Sequence, residues 1–401
     1  MNSGFERLYS EKAKRVVASE VREILKLMHD PDLISFAGGM PNPETFPVNI
    51  IKEITLKIFD DSPADVLQYG ITEGYPPLRK CLSEYMCSED IDCNPDSLMI
   101  TSGATQAIAL ACDLLADPGA TVMTESPTFL AAIICFRNYG TNIEGFPMDD
   151  DGVITDSMEE RLREMKKKGI HSPLFYTIPN FQNPTGVTLT EKRRKKLVDL
   201  SNEYDFLILE DDPYRLLRFE GEDIPPIKKH DDTGRVIYAS SFSKILSPGM
   251  RLGWMIADPS LIRKMTLIKQ TSDVSTNVLS QKIAEEYISG GYLKNHLPKI
   301  QKFYGHKQKV MISALKKYFP KDVKWTHPQG GMFLWAELAS NIDTNLLLKK
   351  AIKKKVAFVQ GRCFFPDHSG KNTMRLSFSY PSDENIEEGI RRLAELISEE
   401  I

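Results

Sequence analysis

LMITSGATQAIALACDLLADPGATVMTE, residues 98–125, is the stretch that decides the fold class. Its first four residues form an apolar run too short for a helix and read as a strand. ATQAIALACDLLA (104–116) then sets apolar side chains at helical spacing, and TVMTE (121–125) returns to a short strand. The same alternation continues outward. TFLAAIICFRN (128–138) reads as a helix, PLFYTIP (173–179) as a strand and TEKRRKKLVDLSNEY (190–204) as a helix. FLILED (206–211), VIYASS (236–241) and LGWMIAD (252–258) read as three more strands. Short apolar strands separated by amphipathic helices specify an α/β core with a mostly parallel sheet buried on both faces.

Upstream, residues 12–29 place Val16, Val17, Val21, Ile24, Leu25 and Met28 at the spacing of one helical face. FAGGMPNPETFP (36–47) follows. Its glycines allow close backbone approach and its prolines stiffen the path, which suits either a loop near a ligand or a crossover between domains. Downstream, a helical region near 260–318 gives way to GGMFLWAEL (330–338), VAFVQG (356–361) and MRLSFSY (374–380). These strands mixed with helices indicate a smaller α+β domain. The expected division is a large domain over 45–290 and a small one built from 1–44 and 291–401.

Composition excludes several function classes. The chain has 401 residues, a net charge of -4, 41% hydrophobic and 26% charged residues. That is globular composition at a length that favours more than one domain. Slight acidity argues against a nucleic-acid partner. The basic runs at 166–168 and 349–355 read as solvated helix faces. No apolar run reaches the roughly 18 residues of a membrane span, and the N-terminus lacks the apolar segment of a signal peptide. Six cysteines, none in a C-x-x-C pair, suit free thiols in a reducing cytoplasm. Cys81, Cys87 and Cys93 do not have zinc-ligand spacing, so no metal is expected.

In open α/β sheets ligands bind beyond the carboxyl ends of the strands. The segments found there are SGATQ (102–106), ESPTF (125–129), NFQNPTG (180–186), EDDPY (210–214) and SSFSK (240–244). Glu210, Asp211 and Asp212 end an apolar strand, where a shielded carboxylate pairs strongly with a cation; a plain polar cap is the other reading. Ala104 and Thr105 open a helix and present backbone N–H groups suited to phosphate. Asn183 follows a strand and its amide can donate to an oxygen. Ser241, Ser243 and Arg251 supply two hydroxyls and a guanidinium fork for a phosphate. Lys244 stands beside them. Alone it is an ordinary surface lysine; near an arginine and partly desolvated it becomes a nucleophile able to form a Schiff base. Together these are the parts needed to hold pyridoxal 5'-phosphate.

The residues that carry a family resemblance are LISFAGGMPNPETFP (33–47), QYGITEGYPPLR (68–79), QNPTG (182–186), EDDPY (210–214), SFSKILSPGMRLGW (241–254), GGMFLW (330–335) and MRLSFS (374–379). With these the chain resembles the class I/II aminotransferases of fold type I, nearest the 2-aminoadipate, kynurenine and multiple-substrate subgroup. The resemblance runs nearly the full length. It implies a mostly parallel seven-stranded sheet between helices. It implies that Lys244 is the Schiff-base lysine and proton shuttle, and that Asp211 pairs the protonated ring nitrogen. Tyr214 and Asn183 would donate to the ring oxygen, and Phe129 would stack on the ring. Ala104, Thr105, Ser241, Ser243 and Arg251 would hold the phosphate, with Tyr69 reaching over from the partner subunit of a homodimer. Arg375 would clamp the substrate carboxylate, helped by Asn183 and the backbone near Gly39. Relatives often carry tyrosine at position 129, and serine and glutamine at 104 and 105, so some side-chain contacts differ here.

Arg22 matches a position that some relatives use for an acidic or extended substrate side chain; a surface helix arginine is the other reading. The expected reaction is ping-pong transamination from a 2-aminoadipate-like, aromatic or broad set of amino acids to a 2-oxo acid such as 2-oxoglutarate. A lyase performing β-elimination, or a decarboxylase, would use the same cofactor site. A ligand-sensing regulator would need a DNA-binding domain ahead of a match that starts close to residue 10.

Overall fold

The computed structural model describes residues 4–16 and 30–400. Its main sheet contains β2 (Leu98–Thr101), β3 (Thr121–Ser126), β4 (Asn142–Asp149), β6 (Leu174–Thr177), β7 (Leu207–Asp211), β8 (Val236–Ser241) and β9 (Gly253–Ile256), in the order β2-β9-β8-β7-β6-β3-β4. The two-residue β5 (Gly152–Val153) hairpins onto β4 as an eighth, edge strand. Neighbours from β4 through β8 pair in parallel, while β9 runs antiparallel between β8 and β2. The mostly parallel seven-stranded sheet is therefore present, with one short strand added.

Strand period explains why both faces are apolar. Met123, Phe175, Ile208 and Val236 face one layer, packed with Leu162 and Leu197 of the helices Thr155–Lys167 and Glu191–Tyr204. Their sequence neighbours Val122, Leu174, Leu209 and Ile237 face the other, packed with Ala107 and Ala111 of the helix Ala104–Leu115. A third cluster joins Ile100 and Trp254 to the helices Val48–Asp61, Pro76–Ser88 and Val278–Ser289.

A second sheet is antiparallel: β10 (Lys324–Trp325), β11 (Phe333–Glu337), β14 (Thr373–Ser377) and β13 (Val359–Gln360), in the order β10-β11-β14-β13. The 27-residue helix Tyr292–Tyr318 and the helix Asp383–Glu400 pack together beside it. β1 (Ile34–Ser35) pairs in parallel with β12 (Val356–Ala357), and Ser377 N–H donates to Phe36 O at 2.9 Å. These contacts lead Ala37, Gly38 and Gly39 from the second sheet toward the carboxyl edge of the main one.

The helix expected over 12–29 differs at its start. The helix Glu11–Arg15 is capped by Ser10 and ends at Val16, which is extended and exposed. Residues 17–29, and with them Arg22, lie outside the described residues.

Candidate active site

Because β9 is reversed, the carboxyl ends of β2, β3, β6, β7 and β8 and the amino end of β9 share one edge of the sheet. The segments read as ligand loops emerge there. The three acids ending β7 diverge by the two-residue period of a strand. Glu210 turns away and accepts from the amides of Ile227 and Lys228, each at 2.8 Å. Asp212 points the same way, accepting from Asn180 Nδ2 at 2.9 Å and Tyr238 Oη at 3.4 Å. Asp211 faces the other side. Only 2% exposed, it accepts from Tyr176 Oη at 2.7 Å through Oδ2, while Oδ1 is buried without a partner. Burial pushes the Asp211 carboxyl up to about 7, against the pull of Tyr176. An acceptor left open in an apolar site is built for a donor brought by a ligand.

Lys244 ends the short turn Phe242–Lys244 after β8, and its Nζ donates to Gly39 O at 2.9 Å. Its Nζ lies 5.8 Å from the centre of the Tyr214 ring. Burial first, then Arg375 and Arg251, depress the amine to about 8. A lysine held there has a sizeable neutral, nucleophilic fraction near neutral pH. Gly39 is required by close approach: a Cβ would stand 2.9 Å from Phe333 Cζ.

Arg375 comes from the second sheet, in register with Trp335 and Val359. It is 4% exposed, with Nη1 donating to Asn183 Oδ1 at 2.8 Å and Nη2 to Ala37 O at 2.7 Å. Phe333 and Phe364 lie 4.3 and 5.0 Å from its guanidinium. Burial lowers its pKa to about 10, and its Nε has no partner. A planar fork between two rings is suited to a carboxylate. Tyr214, 5% exposed, packs edge-on against Phe333. Burial raises its hydroxyl pKa, with Arg375 and Asn183 acting in the opposite sense.

The anion site lies at the β2–β9 side. Gly103 has φ 86° and opens the helix Ala104–Leu115, leaving the first N–H groups, those of Ala104 and Thr105, without intrahelical acceptors. Arg251, at φ 49°, lays Nη2 against this turn, 3.3 Å from Ser102 O. Ser241 Oγ accepts from Ser243 N at 3.1 Å and lies 2.8 Å from Ser243 Oγ. Helix N-terminus, guanidinium and hydroxyls are the donor set that a phosphate takes.

Phe129 caps the helix Leu130–Tyr139 and is half-buried against the main core. Tyr69 is the exception: it stands 82% exposed. Three contributors escaped the reading of the sequence. Tyr176 is a hydroxyl inside an apolar strand, Phe364 lies in a short turn after β13, and Gln182 is the first residue of a familiar turn motif. Tyr176 showed as a polar tip on a central strand and Gln182 as the opening of a quoted turn, but neither pointed to its partner.

This geometry has counterparts among known proteins. The sequence matches the family Aminotransferase class I and II over residues 33–393. The chain belongs to that family. The aminotransferase is 50% identical to aromatic-amino-acid aminotransferase 1 of Thermococcus litoralis over 99% of its length and 95% of that protein's. It superposes on the kynurenine aminotransferase of Pyrococcus horikoshii, solved with PMP, with TM-score 0.97 and 47% identity, covering 100% of this chain and 99% of that one. It superposes on the alpha-aminoadipate aminotransferase of Thermus thermophilus, complexed with N-(5'-phosphopyridoxyl)-L-leucine, with TM-score 0.91 and 35% identity over 98% of each chain. The aminotransferase therefore works with pyridoxal phosphate. The open Asp211 Oδ1, the depressed Lys244 and the anion site at Gly103 fit that cofactor. Among the described residues no helix is long and apolar enough to cross a membrane.

Proposed function

We propose that this aminotransferase takes its amino group from aromatic and 2-aminoadipate-like amino acids and passes it to a 2-oxo acid such as 2-oxoglutarate, in two half-reactions at one site. The observation that carries the reading is the convergence of Lys244, Asp211, Asn183 and Arg375, two of them bonded directly to each other. When bound, pyridoxal phosphate supplies a carbonyl that exchanges oxygen for nitrogen and a ring that accepts electrons. Ala104, Thr105, Ser241, Ser243 and Arg251 hold its phosphate. Asp211 Oδ1, buried without a partner, would accept the ring N–H and so would keep the ring cationic. Asn183 and Tyr214 donate to the ring oxygen, and Phe129 covers the ring face. Arg375 binds the substrate α-carboxylate, with the backbone at Gly39 alongside. Lys244 would hold the cofactor through its amine and would move the proton at the substrate α-carbon.

The acceptance of aromatic donors is supported by the named activities of the relatives. Arg22 is offered as the group that reads an acidic side chain. We read 45–290 as one unit and 1–44 with 291–401 as the other. The working form is a cytoplasmic homodimer, in which the exposed Tyr69 reaches the partner's phosphate site. A panel of amino acids mixed with the cofactor-loaded enzyme tests this. Aromatic and 2-aminoadipate donors should convert the bound cofactor to its amine form, seen as loss of visible absorbance. Release of ammonia and pyruvate from a cysteine-like donor without that conversion would identify a lyase instead.

A further inference from the structure

Gln182 precedes Asn183 and is 1% exposed. Its amide has two donors and two acceptor lone pairs, and all four are used. Nε2 donates to Pro127 O at 2.8 Å and to Glu125 Oε2 at 3.2 Å. Oε1 accepts from Thr185 N at 2.9 Å and Thr185 Oγ1 at 2.8 Å. The bonds reach in opposite directions. Pro127 and Glu125 belong to the end of β3, two and four residues before Phe129. Thr185 lies two residues beyond Asn183, inside the turn that presents it.

The far end of each bond is fixed in turn. Glu125, also 1% exposed, accepts from Thr177 Oγ1 at 2.6 Å and from Ile178 N at 3.2 Å at the end of β6. Thr185 O accepts from Thr326 Oγ1 at 2.7 Å, one residue past the second-sheet strand β10. Gln182 N donates to Val187 O at 2.8 Å, and Gly186 N to Gln182 O at 2.6 Å, closing the turn. Asn183 passes the constraint on, since its Oδ1 receives Arg375 Nη1.

We propose that Gln182 is a positioning residue for the reaction: its amide sets the Asn183 turn against the Phe129 loop and so aims Asn183 at the ring oxygen and at Arg375. This rests on the reading under Proposed function. Gln182 touches neither cofactor nor substrate in this role and acts only through its neighbours. Removing the amide breaks four buried hydrogen bonds, those to Pro127 O, Glu125 Oε2, Thr185 N and Thr185 Oγ1, and lets the two loops drift. Small displacements of an orienting group are enough to weaken both its bond to the ring oxygen and its support of the arginine.

Gln182→Met keeps the side-chain length and removes the amide. With pyridoxal phosphate bound, the pH titration of the visible band should move up by about one unit, because a donor to the ring oxygen has been loosened. KM for the amino donor should rise roughly tenfold, because Asn183 no longer steadies Arg375. A fall in melting temperature with the titration and KM unchanged would reduce Gln182 to a turn residue and overturn the proposal. Should Gln182→Met fail to fold, Thr185→Val removes one of the two bonds to Oε1. It should then shift the titration in the same direction by a smaller step, and an unmoved titration counts against the proposal. If the unmodified enzyme develops no visible band with pyridoxal phosphate, the cofactor reading fails first, and that outcome is separable from the others.

Discussion

At the end of β7 three adjacent carboxyls have three different surroundings, and only Asp211 keeps an oxygen in reserve. That follows from chain direction: in a strand, alternate residues face opposite sides, so the middle acid must part from its neighbours. The residues alone left Glu210, Asp211 and Asp212 open, and it was the family resemblance that singled out Asp211. Its supporting hydroxyl, Tyr176, was not, because register between β6 and β7 is invisible in a single sequence. The raised Asp211 carboxyl has a consequence for the cofactor-free protein. Between its ordinary value and about 7, the native state holds a proton that the unfolded chain has released. Stability should therefore fall as pH rises across that window. Glu125 and Glu210, also pushed up to about 7 by burial, act in the same sense. Urea denaturation of wild type and Asp211→Asn isolates one share: the difference between them should change by roughly 3 kcal/mol from about pH 5 to about pH 7. Parallel curves would mean that Asp211 is ionised throughout.

The parallel strands were readable because each is a short apolar run covered on both faces, as β6 and β8 are at every position. β4 was not. As the outer long strand it leaves Asn142, Gly145 and Pro147 exposed, and its mixed pattern, NIEGFPMD, looks like a loop. The start of the N-terminal helix was misjudged for a related reason, and residues 17–29 lie outside the described residues. Apolar residues at helical spacing were counted through Val16, where the backbone turns extended. Second-sheet strands were legible as segments, but the registry that puts Arg375 opposite Trp335 was not. That registry matters, because Arg375 is carried by one sheet and its partner Asn183 by a loop of the other. Arg375→Lys replaces a bidentate fork between two rings with a point charge. KM for the amino donor should rise about 10- to 100-fold, with a smaller change in kcat. An unchanged KM in steady-state kinetics would place the carboxylate elsewhere.

For the whole molecule, the decisive feature is Tyr69, which stands exposed in its own chain. The proposed homodimer would use it at the partner's cofactor site. A shared site explains this, and it can be counted. Lys244→Ala and Tyr69→Ala, mixed and allowed to exchange subunits, form hybrids with one doubly damaged site and one intact site. Random exchange makes half of the dimers hybrid, so activity should recover to roughly a quarter of wild type. No recovery, with exchange verified by native mass spectrometry, would mean that each chain supplies its own Tyr69 or that Tyr69 has no role.

All of these roles converge on one amine. Lys244 is held by Gly39, faces Arg375 and Arg251, and is depressed to about 8 in a site whose acceptor and anion cradle await a ring and a phosphate. Borohydride reduction of the enzyme loaded with pyridoxal phosphate, followed by peptide mapping, tests this most directly. The expected result is one pyridoxyl-phosphate group per chain, on Lys244, absent from Lys244→Ala. Label on a different lysine of the wild-type enzyme, or no label at all, would contradict it.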